Sequence, residues 1–340
     1  MRAVVYTESG DPSVLELVER ELPEPGSGEV RVRIFRAGVN PTDWKFRAGG
    51  MGPLAFPEVV PGQDGAGVVD AVGPEVTGFV VGDRVWTMLA QHTRPGGTAQ
   101  EQVVLPVDNV TVLPDTASYD VGASLGVPVV TAHRALTTSE DGPDRLQRGA
   151  LTGQTVLVAG GAGAVGNAAI QLARWAGATV ISTVSSEEKA VLATAAGAHH
   201  AVNYREGDIV AAIRDLAPDG VDIVVEVAPA QNLRLDVQVI RPRGTIAIYA
   251  NNGGDEVTLS VRETFTTNAR FQWVLLYTVG KAALRAAAED ITLAVADGAF
   301  GVGEEHGLPV HHYSLEHTAE AHKAVEDGAV GKVLIDVAEA

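Results

Sequence analysis

The sequence predicts an α/β protein in which a doubly wound parallel sheet follows a β-rich region. From about residue 123 to residue 252, buried-strand runs alternate with helical stretches, which is typical of a parallel sheet covered on both faces. The first 125 residues or so contain short apolar runs separated by Gly and Pro. Apolar residues make up 46% of the 340 residues, which is enough to bury the cores of two domains.

The β-rich region comes first along the chain. Residues 30–35, 67–72 and 84–89 are predicted strands, with Gly and Pro between them. Short strands that cluster without intervening helices indicate a barrel or a sandwich-like unit. Residues 140–151 are polar and contain glycine, so a loop is predicted just before the parallel sheet.

Predicted strands and helices alternate through the middle of the chain. The strands are residues 155–159, 179–183, 201–203, 221–227 and 245–249, and the helices are residues 165–175, 187–196, 209–216 and 233–240. The last part of the chain adds a strongly apolar strand at 271–279, a helix at 282–297 and a closing strand at 333–337.

Charge and cysteine content exclude several function classes. The formal net charge is −18, and so acidic a surface repels nucleic-acid phosphates and anionic lipids, so we expect no nucleic acid and no membrane as a partner. There is no cysteine, which excludes disulfides, thiolate nucleophiles and Cys-bound zinc. No apolar run approaches the roughly 18–20 residues of a spanning helix, and the N-terminus lacks an apolar signal core, so we expect a cytoplasmic protein.

A glycine-rich turn is the clearest functional motif. Gly161, Gly163 and Gly166 follow a predicted strand and precede a predicted helix, in the spacing of the dinucleotide-binding fingerprint. Glycines let the backbone approach a pyrophosphate, and the N-terminus of the helix offers unpaired N–H groups to that anion. The turn is therefore a predicted cofactor site.

The residues after the second strand of the sheet predict which dinucleotide binds. NAD-binding proteins usually carry an Asp or Glu about 20 residues beyond the fingerprint. Here Ser185, Ser186 and Lys189 occupy that region, and two hydroxyls with an ammonium suit a 2′-phosphate, which predicts NADPH. Glu187 and Glu188 are the alternative, as acceptors for a ribose hydroxyl, but we interpret them as acids at the start of a helix.

Further motifs carry a family resemblance along nearly the whole chain. They include Ala-Gly-Val-Asn-Pro-Thr-Asp at 37–43, Pro-Gly-Gln-Asp-Gly-Ala-Gly-Val-Val at 61–69, and shorter matches at 81–85, 97–101, 130–136, 197–199, 203–206 and 331–333. Taken in order, these residues resemble the zinc-independent quinone oxidoreductases, of the zeta-crystallin type, in the medium-chain dehydrogenase/reductase superfamily.

The resemblance implies a Rossmann doubly wound parallel sheet inserted into a GroES-like β-barrel catalytic domain. The N-terminal part of the catalytic domain would be 1–124, the NADP-binding Rossmann domain 125–270, and an edge strand followed by the return to the catalytic domain 271–340. The resemblance also implies a homodimer joined by edge strands of the two nucleotide domains. The apolar run 271–277 fits such a covered edge.

The resemblance also identifies the positions that hold zinc in zinc-dependent relatives. Asn40 and Gly62-Gln63-Asp64 stand at the catalytic positions, and the segment from Trp86 to Gly97 is too short and cysteine-free for the structural lobe. One carboxylate and two amides make a poor zinc site, so no metal is expected. The histidines are adjacent pairs or lie off one helix face, and they predict no alternative site.

By resemblance, other residues are assigned to parts of NADPH. The residues implied are Ala162, Gly163, Ala164 and Val165 for the pyrophosphate; Ser185, Lys189 and Tyr204 for the 2′-phosphate end; and Asn40, Thr131, Ala250, Asn251, Val274, Leu275 and Leu276 for the nicotinamide end. Lys332 is expected to be a solvated lysine, and the alternative is that it supplies charge at a distance.

Lys45 is the main departure from the family pattern. Many family members have a Tyr five residues after the Asn40 position, where this chain has Lys45. Similar patterns occur in relatives that reduce alkenals and other enones. Lys45 is therefore a candidate catalytic residue together with Asn40, as a ligand for a ribose hydroxyl or as a donor to a developing oxyanion. The alternative is a solvated loop lysine.

The expected reaction is metal-free hydride transfer from NADPH to a quinone. The alternatives are NADPH-dependent reduction of α,β-unsaturated carbonyl compounds (enones, alkenals or enoyl substrates) and a non-enzymatic NADPH-binding protein. Alcohol oxidation is disfavoured, because it needs a Lewis acid to lower the pKa of the alcohol.

Overall fold

The computed structural model describes residues 1–339, and the chain divides into two compact units. Unit 1 contains Met1–Pro128 and the end of the chain from Val310, and unit 2 contains Val129–Pro309. Unit 2 therefore interrupts the sequence of unit 1. Among the described residues, no helix combines the length and the apolar character that crossing a membrane requires.

Fifteen strands and ten α-helices are described here in chain order. The strands are β1 Arg2–Val5, β2 Glu16–Glu19, β3 Glu29–Val39, β4 Asp64–Val72, β5 Arg84–Thr87, β6 Gln102–Pro106, β7 Val110–Val112, β8 Thr155–Ala159, β9 Thr179–Val184, β10 His200–Asn203, β11 Val221–Glu226, β12 Ile240–Ile248, β13 Arg270–Trp273, β14 Val310–Ser314 and β15 Lys332–Asp336. The helices are α1 Pro41–Arg47, α2 Tyr119–Gly122, α3 Val130–Leu136, α4 Ala164–Trp175, α5 Glu187–Ala195, α6 Ile209–Leu216, α7 Pro229–Val239, α8 Val261–Thr267, α9 Lys281–Ala296 and α10 Thr318–Glu326.

Unit 1 is built on a seven-stranded sheet. The strand order is β14-β15-β3-β4-β5-β7, β6 also pairs with β3, and β1 and β2 form a separate antiparallel pair. β15 runs antiparallel to β3 with Val333 opposite Val39, so a strand from the end of the chain completes a sheet begun near its start. Alternate residues of β3 (Val30, Val32 and Ile34) are buried in the core of this unit.

Unit 2 contains a six-stranded sheet that is parallel throughout. Its order is β10-β9-β8-β11-β12-β13, so the direction of winding reverses between β8 and β11, as in a Rossmann fold. β8 and α6 have the bounds predicted from the sequence. The predicted α/β class is confirmed, and the carboxyl ends of the six strands form the edge where such sheets bind ligands.

The strand predicted at 271–279 is wrong in its second half. β13 ends at Trp273, and Leu276–Thr278 form a turn of 3-10 helix. Val274 and Leu276 are buried, whereas Leu275 is about half exposed. These apolar residues therefore pack in a turn, and an apolar run alone does not distinguish a buried turn from a strand.

The β-rich region contains helices, and the prediction that it has none is wrong. α1 begins at Pro41 because Asn40 caps it: the Asn40 backbone N–H donates to Asp43 Oδ2 over 2.7 Å, in a capping box. α2 follows Ser118, whose hydroxyl oxygen accepts from the Val121 N–H over 3.2 Å. Both helices are short, so their caps mark them and their apolar periodicity does not.

Candidate functional site

The glycine-rich turn of unit 2 joins β8 to α4. Gly160 has φ = 70°, a conformation that favours glycine. A Cβ at Gly161 would lie 2.1 Å from Ser182 Oγ, and one at Gly166 would lie 2.4 Å from the Gly160 carbonyl oxygen. A Cβ at Gly163 would meet its nearest atom at 3.5 Å. Gly161 and Gly166 therefore allow close packing of strand and helix, while the backbone at Gly163 is open to a ligand.

The N-terminus of α4 differs from those of its neighbours. Gly163 occupies the N-cap and supplies no side-chain hydrogen bond. In contrast, Ser186 caps α5, where its oxygen accepts from Lys189 N–H over 3.4 Å, and Asp208 caps α6. The N–H groups of the first turn of α4 thus have no side-chain cap to satisfy them, and they fit the pyrophosphate of a dinucleotide. Of the predicted residues, Ala164 and Val165 begin α4, and Ala162 lies in the glycine-rich turn before it.

The residues predicted at the 2′-phosphate follow two neighbouring strands. Asn203 pairs with Val184 at the ends of β10 and β9, and the Tyr204 N–H donates to the Val184 carbonyl over 3.0 Å. Ser185 and Tyr204 therefore leave the sheet side by side, at the edge that also holds the glycine-rich turn. Lys189 lies in the first turn of α5.

Ser186 caps α5, and the two predicted alternatives, Glu187 and Glu188, lie in the first turn of that helix. Glu187 and Glu188 are its first two residues, as interpreted from the sequence. A hydrogen bond from Ser186 is the main reason why the pKa of the Glu188 carboxyl is lowered. The Ser186 hydroxyl is thus engaged within the helix start, which leaves Ser185, Lys189 and Tyr204 as the side chains that could meet a 2′-phosphate.

The residues predicted at the nicotinamide end lie after the next strands. Ala250 and Asn251 follow β12, and Asn251 Nδ2 donates to Asp255 Oδ1. The Val274 N–H donates to the Ile248 carbonyl over 2.7 Å, which holds the segment 274–276 against the end of β12. Thr131 lies in the first turn of α3 and is buried.

A buried carboxyl pair at the end of β11 escaped the sequence analysis. Glu226 Oε1 accepts from Asn232 Nδ2 over 3.0 Å and from the Ala228 N–H, and Asp236 hydrogen-bonds to the same carboxyl group. Burial raises the pKa of Glu226, and burial together with Glu226 raises the pKa of Asp236 well above its usual range. Burial and the neighbouring Glu226 carboxylate therefore favour the protonated form of Asp236, whose Oδ2 is buried without a hydrogen-bond partner in the described chain.

Unit 1 contains a buried charge network, which we call the Lys332 pocket: Asn40, Asp43, Asp64 and Lys332. Lys332 Nζ donates to Asn40 Oδ1 over 2.9 Å and lies 3.5 Å from Asp64 Oδ2. Asn40 Nδ2 donates to Asp64 Oδ2 over 2.7 Å. Lys332 is 1% exposed and Asp64 0% exposed. The expectation that Lys332 is solvated is therefore wrong.

The register of the sheet explains the burial of Lys332. Val333 lies opposite Val39, so β15 begins beside the end of β3, where Asn40 follows. A Cβ at Gly38 would lie 2.9 Å from Lys332 Nζ, so the glycine leaves room for the lysine. In the sequence, Lys332 is visible only as a lysine at the start of a predicted closing strand. Its burial could not be predicted, because the residues that bury it lie almost three hundred positions away.

Burial sets the ionisation of the Lys332 pocket. It raises the pKa of Asp64, although the Lys332 charge and the hydrogen bond from Asn40 oppose that shift. It lowers the pKa of Lys332, and the charges of Asp64 and Asp43 oppose that shift in turn. Burial and the Asp64 charge raise the pKa of Asp43 to about 7.

Lys45 lies on α1, directly before a residue that lines an apolar cavity. Its side chain is partly buried, with Nζ 5.9 Å from the centre of the Trp44 ring. The next residue, Phe46, lines a cavity of about 200 Å³. Other residues lining this cavity include Tyr6, Met51, Pro53, Phe56 and His92.

Two protein-family models match the chain. "Alcohol dehydrogenase GroES-like domain" matches residues 26–115, and "Zinc-binding dehydrogenase" matches residues 164–292. The first match agrees with the GroES-like domain expected from the sequence.

The residues of the Lys332 pocket do not fit the zinc that the second description implies. Asn40 and Asp64 are bound to the Lys332 ammonium, and the Gln63 amide donates to Gln91 Oε1 over 2.9 Å. No group of three or more His, Cys, Asp or Glu residues in the described chain is arranged to hold a metal ion. Amide oxygens and one shared carboxylate are not the nitrogen and sulfur ligands that zinc prefers.

Solved structures of similar proteins share the fold. One described as an NAD-dependent alcohol dehydrogenase has a TM-score of 0.85 and 33% identity, covering 99% of this chain and 100% of that one. A mycobacterial protein solved in complex with NADPH has a TM-score of 0.81 and 29% identity, covering 98% of this chain and 99% of that one.

Relatives of known name match along most of the sequence. The 2-haloacrylate reductase of a Burkholderia species is 34% identical, covering 75% of this chain and 74% of the relative. The quinone oxidoreductase of Rattus norvegicus is 32% identical over 342 residues, covering 98% of this chain and 97% of the relative. With this identity over nearly the full length, the chain belongs to the quinone oxidoreductase family of the medium-chain dehydrogenase/reductase superfamily.

Proposed function

We propose that this chain is an NADPH-dependent reductase that transfers a hydride to a quinone without a metal ion. The observation that carries the proposal is the buried ammonium of Lys332, which donates to Asn40 and lies beside Asp64. A pocket that already holds the chain's own cation is suited to direct hydride transfer. It is not suited to the metal-assisted oxidation of an alcohol.

The charges of the Lys332 pocket support a metal-free reaction. Asp43 and Asp64 supply two carboxyl groups and Lys332 supplies one ammonium. Because the pKa of Asp43 is about 7, its neutral form brings the pocket close to charge balance near neutral pH. A divalent ion about 4 Å from the ammonium would meet a repulsion of roughly 8 kcal/mol at an effective dielectric constant of about 20.

Unit 2 supports the choice of NADPH over NADH. Ser185 and Tyr204 follow adjacent strand ends, and Lys189 starts the next helix. A hydroxyl, a phenol and an ammonium match the acceptor oxygens and the charge of a 2′-phosphate. The similar protein solved with NADPH supports this choice. Another similar protein is described as NAD-dependent, so the preference for NADPH over NADH has to be measured. A reductase that draws on NADPH also fits a cytoplasmic location.

The bound cofactor supplies the hydride, and the residues of this chain hold and orient the reactants. We assign cofactor binding to 125–270 and to the segment 274–276, with the open end of α4 on the pyrophosphate. Thr131, Ala250 and Asn251 are the proposed contacts of the nicotinamide end. In unit 1, Asn40 is the proposed polar contact of the reactants. Hydrogen bonds with Asp64 and Lys332 fix the orientation of its amide.

The cavity lined by Phe46 supports a flat, apolar acceptor. Tyr6, Phe46 and Phe56 give it aromatic walls, and about 200 Å³ suits a single substituted ring. Such walls exclude water from a ring that accepts a hydride at carbon or oxygen. A quinone is the acceptor that fits these features most directly.

Reduction of α,β-unsaturated carbonyl compounds is the second candidate. The observation that favours it is Lys45, which stands where many family members have a tyrosine and directly precedes Phe46, a wall of the aromatic cavity. Hydride addition to an enone leaves an enolate oxygen, and an ammonium donates well to such an oxyanion. The similarity to a 2-haloacrylate reductase points the same way, since haloacrylates are conjugated alkenes.

We also propose that the protein is a homodimer joined through β13. This strand is the last of the six-stranded sheet, so its outer edge has no partner strand within the sheet. Trp273 on this strand is 58% exposed, and Phe265 on α8, which packs on neighbouring β12, is 80% exposed. Apolar side chains beside an unpaired strand edge favour pairing with a second copy of the chain.

The reaction class is tested by the loss of the NADPH absorbance with a panel of acceptors. We expect turnover with para- and ortho-quinones that is unchanged by a chelator. Lys45→Ala is expected to lower kcat/KM for enones and alkenals by about tenfold or more, because the enolate loses its donor. Lys323→Ala, on the exposed face of α10, is the matched control and is expected to change nothing.

Each alternative gives a different result in that experiment. Loss of turnover on chelation rejects the metal-free reaction. NADPH binding without turnover of any acceptor favours a non-enzymatic protein. Equal kcat/KM of Lys45→Ala and the wild type on every acceptor rejects the role proposed for Lys45.

The cofactor proposal is tested with Lys189→Ala. Loss of one charge-assisted bond to the 2′-phosphate is expected to raise KM for NADPH by about tenfold to a hundredfold, with KM for NADH unchanged. The measurement is steady-state kinetics with both cofactors. A wild type that prefers NADH, or a variant with equal losses for both cofactors, contradicts the proposal.

The dimer is tested by the molar mass in solution. We expect the wild type to have the mass of two chains by light scattering, and Trp273→Glu to have that of one, because a carboxylate is costly in an apolar interface. Val80→Glu, at a residue of unit 1 that is 65% exposed, is the control and should remain dimeric. A monomeric wild type contradicts the proposal, and so does a dimeric Trp273→Glu variant.

The pKa of Asp43 predicts a pH dependence of stability. The groups that act on this carboxyl include Asp64 on β4, Lys332 on β15 and Asn40, and the carboxyl acts in turn on Tyr6 after β1. The folded pKa of about 7 lies above the ordinary value of 3.8, so between these values the folded chain binds the extra proton and stability falls as pH rises. Asp43→Asn removes this loss.

Urea denaturation at pH 5 and pH 8 measures the effect. From pH 5 to pH 8, the unfolding free energy of the wild type should fall relative to Asp43→Asn by about 2–3 kcal/mol. Asp115→Asn, at a side chain that is 98% exposed, is the control. A parallel pH dependence in the wild type and Asp43→Asn contradicts the prediction.

A further inference from the structure

We infer that Glu226 is a positioning residue for the bound cofactor, because its buried carboxylate fixes the backbone that links the glycine-rich turn to the residues proposed for the nicotinamide end. The inference rests on the NADPH-dependent function proposed above and extends it. Glu226 is 0% exposed, so it acts through its neighbours in unit 2 and does not itself touch the cofactor.

The carboxylate holds the start of α7. Glu226 is the last residue of β11, and its Oε1 accepts from the Ala228 N–H and, over 3.0 Å, from Asn232 Nδ2. Ala228 occupies the N-cap of α7 and supplies no side-chain hydrogen bond of its own. Buried donors at the start of a helix need an acceptor, and here the end of the preceding strand provides it. Glu226 therefore sets the path of the chain from β11 into α7.

The backbone on this path contacts both parts of the proposed cofactor site. A Cβ at Gly160 would lie 3.4 Å from Val227 Cγ1, so Val227 packs against the glycine-rich turn. The Val227 carbonyl accepts from the Asn252 N–H over 3.1 Å, and the Glu226 carbonyl accepts from the Tyr249 N–H over 3.1 Å. The two residues between Tyr249 and Asn252 are the proposed contacts of the nicotinamide end. A shift of this backbone would therefore move both parts.

Asp236 helps to hold the Glu226 carboxylate. It lies on α7, is 1% exposed, and hydrogen-bonds to the carboxyl group of Glu226. Burial and the Glu226 charge raise the pKa of Asp236 well above its usual range, which favours its protonated form. A protonated carboxyl group is a donor, and an amide of the same shape is a donor too. Asp236→Asn is therefore expected to keep Glu226 in place, and Asp236→Leu is not.

A role in stability alone makes a different prediction. Loss of a purely structural hydrogen bond lowers Tm and the amount of folded protein, but it leaves the Kd of the folded protein for a cofactor unchanged. A displaced backbone after β11 disturbs the pyrophosphate and nicotinamide ends, which NADPH and NADH share. Both cofactors should then lose affinity by the same factor, whereas Lys189→Ala is expected to affect NADPH alone.

The experiment measures the Kd of the full chain for NADPH and for NADH by fluorescence titration, and Tm beside it. Glu226→Leu is expected to raise both Kd values by about tenfold or more, because small misplacements of a binding site are costly. Asp236→Leu should raise both in the same direction, and Asp236→Asn should stay close to the wild type. Asp222→Asn is the matched control, since Asp222 lies near the start of the same strand and pairs with Arg241. It is expected to lower Tm without a change in either Kd.

The outcomes separate this inference from the proposed function. A wild type that binds neither dinucleotide rejects both. Asn232→Ala, which removes one donor to the Glu226 carboxylate, is measured in case Glu226→Leu does not fold, and it should raise both Kd values severalfold. With a wild type that binds NADPH, the inference alone is overturned if the variants that fold bind as tightly as the wild type, if only NADPH is affected, if Asp222→Asn loses the same affinity, or if neither Glu226→Leu nor Asn232→Ala folds.

Discussion

The buried ammonium of Lys332 is the constraint on which unit 1 depends. A charge that is 1% exposed needs acceptors, and Asn40 and Asp64 supply them. The three residues belong to β15, to the cap of α1 and to β4, so the network forms only when the end of the chain has paired with β3. Gly38 has to lack a side chain beside this network, because a Cβ there would lie 2.2 Å from the Ala123 carbonyl oxygen and 2.9 Å from Lys332 Nζ.

Unit 2 could be predicted from the sequence because its signals are local. Each strand is followed directly by the helix that covers it, so the change of apolar period from strand to helix marks β8, α4 and β9 in turn. The glycine-rich turn was found for the same reason, since strand, turn and helix are consecutive. The prediction failed after Trp273, where an apolar run continues but the chain leaves the strand and forms a turn at Leu276–Thr278.

Unit 1 and its pocket could be predicted only in part, because their interactions join distant segments. Apolar runs indicated β3, β4 and β5, but nothing near Lys332 in the sequence shows that it is buried against Asn40. The start of α1 did carry a local signal, since Asn40, Pro41 and Asp43 have the spacing of a capping box. Applying that rule would have moved Lys45 from a loop to a helix.

The Lys332 pocket matters more for the orientation of the Asn40 amide than for the stability of the fold. Replacing a buried ion pair by apolar residues of similar volume is often neutral or stabilising by about 1–4 kcal/mol, so the pair is not needed to hold the sheet together. Its chemistry does fix the amide of Asn40: an ammonium only donates, so it takes Oδ1, and a carboxylate only accepts, so it takes Nδ2. An apolar substitute at position 332 would leave Asn40 Oδ1 without its donor, while Asp64 would still hold Nδ2. The two charged partners therefore fix opposite edges of the Asn40 amide, and a fixed amide is what the proposed contact with the reactants requires.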